Sequence, residues 1–415
     1  MKTVIIGAGP AGLMAAASSE GQSVTVIEQN EKAGKKLYIT GKGRCNLTNN
    51  VESGEFLSNV VTNPKFLLSA LNSFPPRAAI EFFEKHGLKL KTERGGRVFP
   101  ESDKASDVTA ALLKACKDKN VNICLNEKAE EIIVVGRDDP GAPQNNYRRV
   151  AALKTSKREI PCDKLIIATG GMSYPLTGST GGGYKLAESL GHNIIKPVPS
   201  LTGLNLTGGF FKALQGLSLK NVRVTVFKNN IKTNISYFGE ALFTYFGISG
   251  PVILSVSAHI NREALNGVSL SLDLKPALTE DVLEARVLRD FDECKNVFIK
   301  NALAKLLPHA LIPVILSDCK ISPDKQCNAV TKAERAALIK SLKAFKMPVL
   351  SPRGFDEAIV TSGGVDVKEI NPKTMESKLV KGLYFCGEVL DADALTGGYN
   401  IQIALSTGFL AGKSM

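Results

Sequence analysis

The segment Gly7-Ala-Gly9-Pro10-Ala11-Gly12 follows the apolar run Thr3 to Ile6 and opens an alanine-rich stretch from Ala11 to Ser19. No other feature of the 415 residues constrains the fold as tightly. Each glycine has a mechanical job: one makes a tight turn, one lets a ligand's pyrophosphate approach the backbone, and one lets the helix pack close to the strand. Residues 23 to 28 read as a second strand ending in Glu28, with Gln29 beside it, and only Glu20, Gly21 and Gln22 separate it from the helix. That tight return fits a right-handed βαβ unit. The helix N-terminus would face a diphosphate. Glu28 would accept from the adenosine ribose hydroxyls and repel a 2'-phosphate.

Two later segments decide which dinucleotide. Leu165 to Ala168 is a buried-type strand running into Thr169-Gly170-Gly171, and Gly382 to Cys386 is another, running into Gly387-Glu388. Leu395-Thr-Gly397-Gly398-Tyr399-Asn400 then leads into a last helix. In order, these resemble the second and third FAD contacts of glutathione-reductase-type flavoproteins. The resemblance implies that Glu388 holds the ribityl chain and that the last helix aims its N-terminus at the flavin. The expected cofactor is therefore FAD on an α/β Rossmann-type domain.

Between these halves the pattern changes. After Pro197 and Pro199 come short alternating strands at 222–227, 231–237 and 268–274, which predict an antiparallel β unit. Residues 279 to 346 read as mostly helical, and buried strands return from 351 to 364 and at 382 to 386. We expect a discontinuous FAD domain, 1–196 with 352–415, interrupted by a β domain at 197–278 and a helical one at 279–351. Within the first part, helices are expected at 64–86 and at 104–119, the latter capped by Ser102 or Asp103. Strands are expected at 121–125, 130–135, 149–155 and 164–168, with a polar turn from Asp138 to Asn146.

Eight cysteines without a C-x-x-C pair exclude the usual zinc-ribbon and iron–sulfur spacings and point to free thiols in a reducing cytoplasm. The glycines at 7, 9 and 12 argue against reading the first residues as a secretion signal. No stretch of 18 uninterrupted apolar residues suggests a membrane span. The formal charge is +12, and residues 196 to 350 carry 20 Lys and Arg against 12 Asp and Glu. That +8 suits an anionic partner, although charge runs also serve simply to face water.

The run Lys35-Lys36 through Gly43-Arg44-Cys45-Asn46 to Asn49, with Gly387-Glu388-Val-Leu-Asp391 and the Thr-Gly-Gly-Tyr-Asn segment, resembles the BaiN-like (YhiN-type) bacterial flavoproteins. Gly239-Glu240 to Thr244 and Gly247-Ile-Ser249-Gly250-Pro251 resemble that family's insert-domain signature. The likeness runs over essentially the whole chain. It implies an FAD domain carrying an inserted β-barrel plus helices. It also implies one of three activities: NAD(P)H-dependent C=C reduction of steroid acids, formation of dihydrouridine in large-subunit ribosomal RNA, or amine oxidation. Lys42, between two glycines, departs from the glycine or serine usual there.

Reduction of an activated C=C needs an acid beside the flavin, and Cys45, Tyr174 and Tyr399 are the candidates. Cys45 reads equally well as a buried space-filler, Tyr399 as helix-start packing, and Cys386 as core. Lys36, Gly43, Arg44 and Asn46 are expected against the flavin's polar groups. Gly178-Ser-Thr-Gly181-Gly182-Gly183 reads as backbone near the flavin, so NAD(P)H would be a transient donor without its own domain. Gly247 to Pro251 lacks the second glycine of a nucleophile elbow, and His86, His192, His259 and His309 look scattered, which disfavours a serine hydrolase. The leading expectation is uridine reduction in 23S ribosomal RNA, contacted through the basic insert. A small enone reductase, an amine oxidase and a non-catalytic flavin-binding protein are the alternatives.

Overall fold

The computed structural model describes residues 1–20, 23–136 and 148–415. Gly21 and Gln22 of the expected return, and the expected turn from Asp138 to Asn146, lie outside them. The chain divides into two compact units, residues 1–200 with 355–415, and residues 201–354.

The first unit is built on β1 (Lys2–Ile6), α1 (Pro10–Ser18), β2 (Ser23–Ile27), α2 (Ala105–Asp118), β3 (Asn122–Cys124), β4 (Lys164–Ile167), α3 (Gly182–Ser189), β5 (Leu383–Phe385) and α4 (Tyr399–Lys413). The five strands form one sheet in the order β5-β4-β1-β2-β3, parallel throughout. Parallel strands are covered on both faces, and Val4, Ile5, Val26, Leu165, Ile166, Ile167, Leu383 and Phe385 are at most 1% exposed. Val4 lies opposite Leu165 on one side and Thr25 on the other, so the first strand is central. This is the Rossmann-type FAD-binding arrangement.

Several local expectations change. The helix expected at 64–86 breaks at Phe74, whose backbone (φ −144°, ψ 76°) is not helical, and resumes at Pro76. Phe74 precedes Pro75, and a residue before proline avoids the helical region. Neither Ser102 nor Asp103 caps α2: Lys104 holds that position without a side-chain bond. The Ser102 hydroxyl instead donates to the Asp107 carboxylate (2.6 Å). The segment expected to return to the parallel sheet from 351 does not. Val360–Val365 pairs antiparallel with Ile194–Ser200 in a separate two-stranded ladder, whose register slips between Ile195 and Val198, beside Pro197.

The second unit contains a closed six-stranded barrel of segments 204–206, 247–249, 231–244, 218–228, 268–273 and 345–352, in that neighbour order, all antiparallel. The strand expected to end at 237 runs on to Thr244. Val222, Val224, Val226, Leu270, Leu272, Met347 and Val349 alternate inward, the period-2 signature visible in the sequence. The helical segment 279–346 lies in the same unit, with Leu303, Leu306, Leu307, Leu338 and Leu342 buried in the same core. Its helix Lys332–Lys343 starts from a capping box between Thr331 and Glu334. Among the described residues no helix is long and apolar enough to cross a membrane.

Candidate active site

The three glycines of the first turn do three different things. A Cβ on Gly7 would sit 2.5 Å from the Ala168 carbonyl oxygen, and one on Gly12 would overlap the Gly7 carbonyl. A Cβ on Gly9 would meet nothing within 4 Å. Gly7 and Gly12 are therefore bare to let strand and helix pack, whereas Gly9 faces open space, which a pyrophosphate requires. Helix α1 begins at Pro10 with no capping side chain and no acid in its first turn, so its N-H groups remain for an anion. Ala11 abuts both the turn after β5 and the last helix: a Cβ on Gly387 would lie 2.7 Å from its methyl group, and one on Gly408 would overlap its carbonyl oxygen.

Glu28, 8% exposed, is held rigidly. Its Oε2 accepts from the Ala8 N-H (2.9 Å) and its Oε1 from the N-H (2.9 Å) and Nδ2 (2.7 Å) of Asn30. Gln29 Nε2 donates to the Gly178 carbonyl (2.6 Å) and Asn30 Nδ2 to that of Thr177 (3.1 Å). These bonds tie the glycine-rich segment 178–183 to the end of β2.

Around β4 and β5 the turns interlock. A Cβ on Gly171 would lie 2.8 Å from Glu388 Oε1 and would also strike the Thr361 side chain. Thr361 Oγ1 accepts from the N-H groups of Met172 (2.7 Å) and Ser173 (3.1 Å), and the Thr361 N-H donates to Glu388 Oε1 (2.8 Å). Lys36 Nζ donates to Glu388 Oε2 (2.9 Å). Thr361 was not a candidate from sequence, because it lies in a stretch read only as buried strand.

The 40–46 loop carries backbone strain, with Lys42 and Cys45 both at φ +58°, and Tyr174, elsewhere in the unit, stands at φ +53°. Such conformations cost of order 1 kcal/mol or more each and gather at functional sites. Cys45 is fully buried, and burial pushes its thiol up to about 12. Tyr174 is half-buried, its N-H bonded to the Phe355 carbonyl (3.0 Å). Tyr399 is 7% exposed with its ring edge against Phe56 (5.0 Å), and burial raises its phenol, a packing role. Cys386 is buried core.

Two expected cofactor contacts are committed elsewhere. The Arg44 guanidinium bonds Glu93 and Asp103 and lies over the Phe99 ring (4.3 Å), so its charge is already neutralised. Asn400 spends its amide on the backbone of Ala394 and Leu395. His192 is not isolated either: Nδ1 meets Glu369 Oε2 and Nε2 meets Ser377 Oγ, both at 2.9 Å. This serine–histidine–carboxylate row is a strut. Ser377 Oγ accepts from the N-H groups of Leu379 and Val380 (3.0 Å each), so it is not poised for attack.

Among the described residues of this unit, four buried polar atoms have no protein partner: Asn46 Oδ1, Asn49 Oδ1, Thr169 Oγ1 and Tyr184 Oη. A Cβ on Gly398, before α4, would lie 2.9 Å from Asn46 Oδ1 and overlap the Thr48 carbonyl, and Asn49 Nδ2 donates to the Gly397 carbonyl (3.1 Å), so Asn46 to Asn49 and Gly397-Gly398 form one wall. An orphaned buried polar atom is costly unless a ligand satisfies it. The open Gly9, the uncapped α1 and these four atoms together fit FAD. Asn49 and Tyr184 were missed in the sequence, and only the glycines before Tyr184 hinted at it.

Comparison with known proteins agrees with this geometry. The family described as HI0933-like protein Rossmann domain matches residues 1–414. A 3-dehydro-bile acid delta(4,6)-reductase of Clostridium scindens is 30% identical over 416 residues, spanning 99% of this chain and 98% of that protein. A ribosomal RNA dihydrouridine synthase of Escherichia coli is 33% identical over 422 residues, spanning 99% and 97%. Among solved structures, the 3-ketosteroid-delta4-(5alpha)-dehydrogenase from Rhodococcus jostii RHA1 superposes with a TM-score of 0.52 at 14% identity. It covers 99% of this chain and 96% of that one, a likeness of fold. The turn at Gly7 to Gly12, the interlocked turns at Gly171 and Glu388, and these matches place the chain in the HI0933-like family of FAD-dependent oxidoreductases.

Proposed function

We propose that the protein reduces an activated C=C bond with electrons from NADH or NADPH, and that its substrate is uridine in large-subunit ribosomal RNA. Bound FAD supplies the hydride chemistry. The chain must hold it, exclude water and deliver a proton to the second carbon. Tyr174 suits that last task better than Cys45, because its side chain is half-exposed while the thiol is fully buried and raised.

The observation that carries the RNA reading is the charge of the second unit. Residues 201–354 hold 20 Lys and Arg against 12 Asp and Glu, a net +8 of the chain's +12. Lys212, Lys220, Arg223, Lys232, Arg262 and Lys346 are all exposed there. A polyanion gains from such a field through its phosphates and shape, which a small enone does not need. The relatives named as ribosomal RNA dihydrouridine synthases support the same reading. The eight free cysteines suit the cytoplasm, where ribosomes are.

A second reading, reduction of a steroid-like enone, is favoured by the 30% identity to the bile-acid reductase. Deleting the gene and mapping dihydrouridine in 23S ribosomal RNA separates the two. Loss of the modification, restored by the wild-type gene but not by a Lys212→Glu, Lys220→Glu, Arg223→Glu variant, is the expected result. An unchanged map in a strain without a paralogue overturns it. For the donor, the described residues contain one parallel sheet, so the nicotinamide is taken to act transiently at the flavin. Anaerobic mixing with NADH or NADPH should bleach the flavin. Bleaching by an amine alone would favour the oxidase alternative.

A further inference from the structure

Tyr184 stands in the first turn of α3, directly after Gly181-Gly182-Gly183, and only 6% of it is exposed. Its hydroxyl finds no hydrogen-bond partner among the described residues. A buried donor left without a partner destabilises the folded chain, so a residue of this kind points to something the protein expects to bind. A phenylalanine would pack the same space without that cost.

The surroundings say what the missing partner is. A Cβ on Gly181 would lie 3.3 Å from both the Tyr184 ring and the Met172 side chain, and one on Gly171, next to Met172, would lie 2.8 Å from Glu388 Oε1. Met172 and the Tyr184 ring thus both flank Gly181, and Met172 directly follows Gly171, which abuts Glu388. Burial, then the nearby carboxylates of Glu388 and Asp391, raise the phenol's pKa, so Tyr184 is a neutral donor in an acidic neighbourhood. Phosphate oxygens would be repelled there; they are served by the uncapped α1 and the open Gly9. A neutral hydroxyl is what fits, because it can accept from Tyr184 while donating to Glu388. Thr169 Oγ1 is orphaned against Gly183 in the same segment and offers a second contact.

We infer that the Tyr184 hydroxyl is a ligand of the FAD ribityl chain and, with Glu388, fixes that polyol in place. Nothing in this role touches the reacting atoms, so Tyr184 is a positioning residue for the cofactor.

The test is Tyr184→Phe, with FAD affinity measured by fluorescence quenching on reconstitution of the apoprotein. The expected result has opposite signs in the two states. The FAD Kd rises roughly tenfold, the worth of one hydrogen bond in a buried site. The apoprotein's Tm stays the same or rises, since an unsatisfied donor has been removed. ADP, which carries the diphosphate but no ribityl chain, should bind wild type and variant equally. An FAD Kd within twofold of wild type overturns the inference. So does a fall in apoprotein Tm, which would mark Tyr184 as structural, or an equal loss for ADP, which would move the contact to the phosphates. Wild-type apoprotein that takes up no FAD would overturn this inference and the cofactor itself.

Discussion

Lys36 and Glu388 form a 2.9 Å ion pair across 352 residues of sequence, each about one-fifth exposed. The pair joins the loop after β2 to the turn after β5, so the site is closed by a bond between the two ends of the chain. Because Glu388 also accepts the Thr361 N-H, its carboxylate is held in place before any ligand arrives and keeps lone pairs to accept from one.

The pair's contribution should be measurable. Breaking it with Lys36→Met leaves a partly buried carboxylate uncompensated, and the apoprotein should lose about 1 kcal/mol. A double-mutant cycle with Glu388→Gln should return a coupling of roughly 0.5–1 kcal/mol in urea unfolding. Additive effects would mean that the two residues act independently.

The glycines of the first turn should separate stability from binding. Gly9→Val adds a side chain where the protein offers no neighbour within 4 Å and where φ is −79°, an ordinary value. It should fold normally and bind no FAD. Gly12→Ala drives a methyl into the Gly7 carbonyl and should lower stability by roughly 1–3 kcal/mol before FAD is added. Chemical denaturation of the apoproteins, followed by FAD titration, distinguishes the two. A Gly9→Val protein that retains yellow flavin would refute the assignment.

What was legible in the sequence was local. β1, the glycine turn, α1, β2 and Glu28 lie within 28 residues, and their periods and spacings need no distant partner to interpret. The barrel strands showed the same way, through alternation. What stayed hidden depends on long-range pairing. Arg44 read as a flavin contact because its partners, Glu93 and Asp103, stand 49 and 59 residues on. His192 read as isolated because Glu369 and Ser377 lie 177 and 185 residues away. Residues 351 to 364 read as buried α/β strand, and the antiparallel pairing of 360–365 stayed hidden because a buried apolar run looks the same whether its neighbours are parallel or antiparallel.

Of the three proton-donor candidates, Cys45 and Tyr174 predict opposite kinetics. With its thiol pushed up to about 12, Cys45 is only about one part in 10⁵ thiolate at neutral pH. Iodoacetamide should leave it unmodified in the native protein while labelling half-buried Cys124, whose Sγ accepts from Arg158 (3.2 Å). Cys45→Ser should turn over near the wild-type rate. Tyr174→Phe should slow reoxidation of reduced flavin by the C=C substrate about 10²-fold or more, with bleaching by NAD(P)H unchanged. If Cys45→Ser is the slow variant, the roles are reversed.

The His192 strut predicts a loss of stability in mild acid. Burial is the largest influence on its imidazole and lowers its pKa from 6.5, against the opposing pull of Glu369. The folded protein therefore prefers neutral His192, while the unfolded chain takes up a proton near its ordinary value. Above pH 6.5 the contribution is complete. As pH falls from 6.5 toward the lowered folded value, the unfolded state binds the proton first and stability declines. His259 is lowered by burial too and adds a decline of the same sign. Between pH 7.5 and 5.5 the wild-type Tm should fall, and it should fall less in His192→Gln, which removes the titrating group. The variant itself should start lower at pH 7.5, because Glu369 and Ser377 lose a well-placed partner, at a cost of about 1–3 kcal/mol. Equal Tm slopes in the two proteins would show that His192 keeps its ordinary titration when folded.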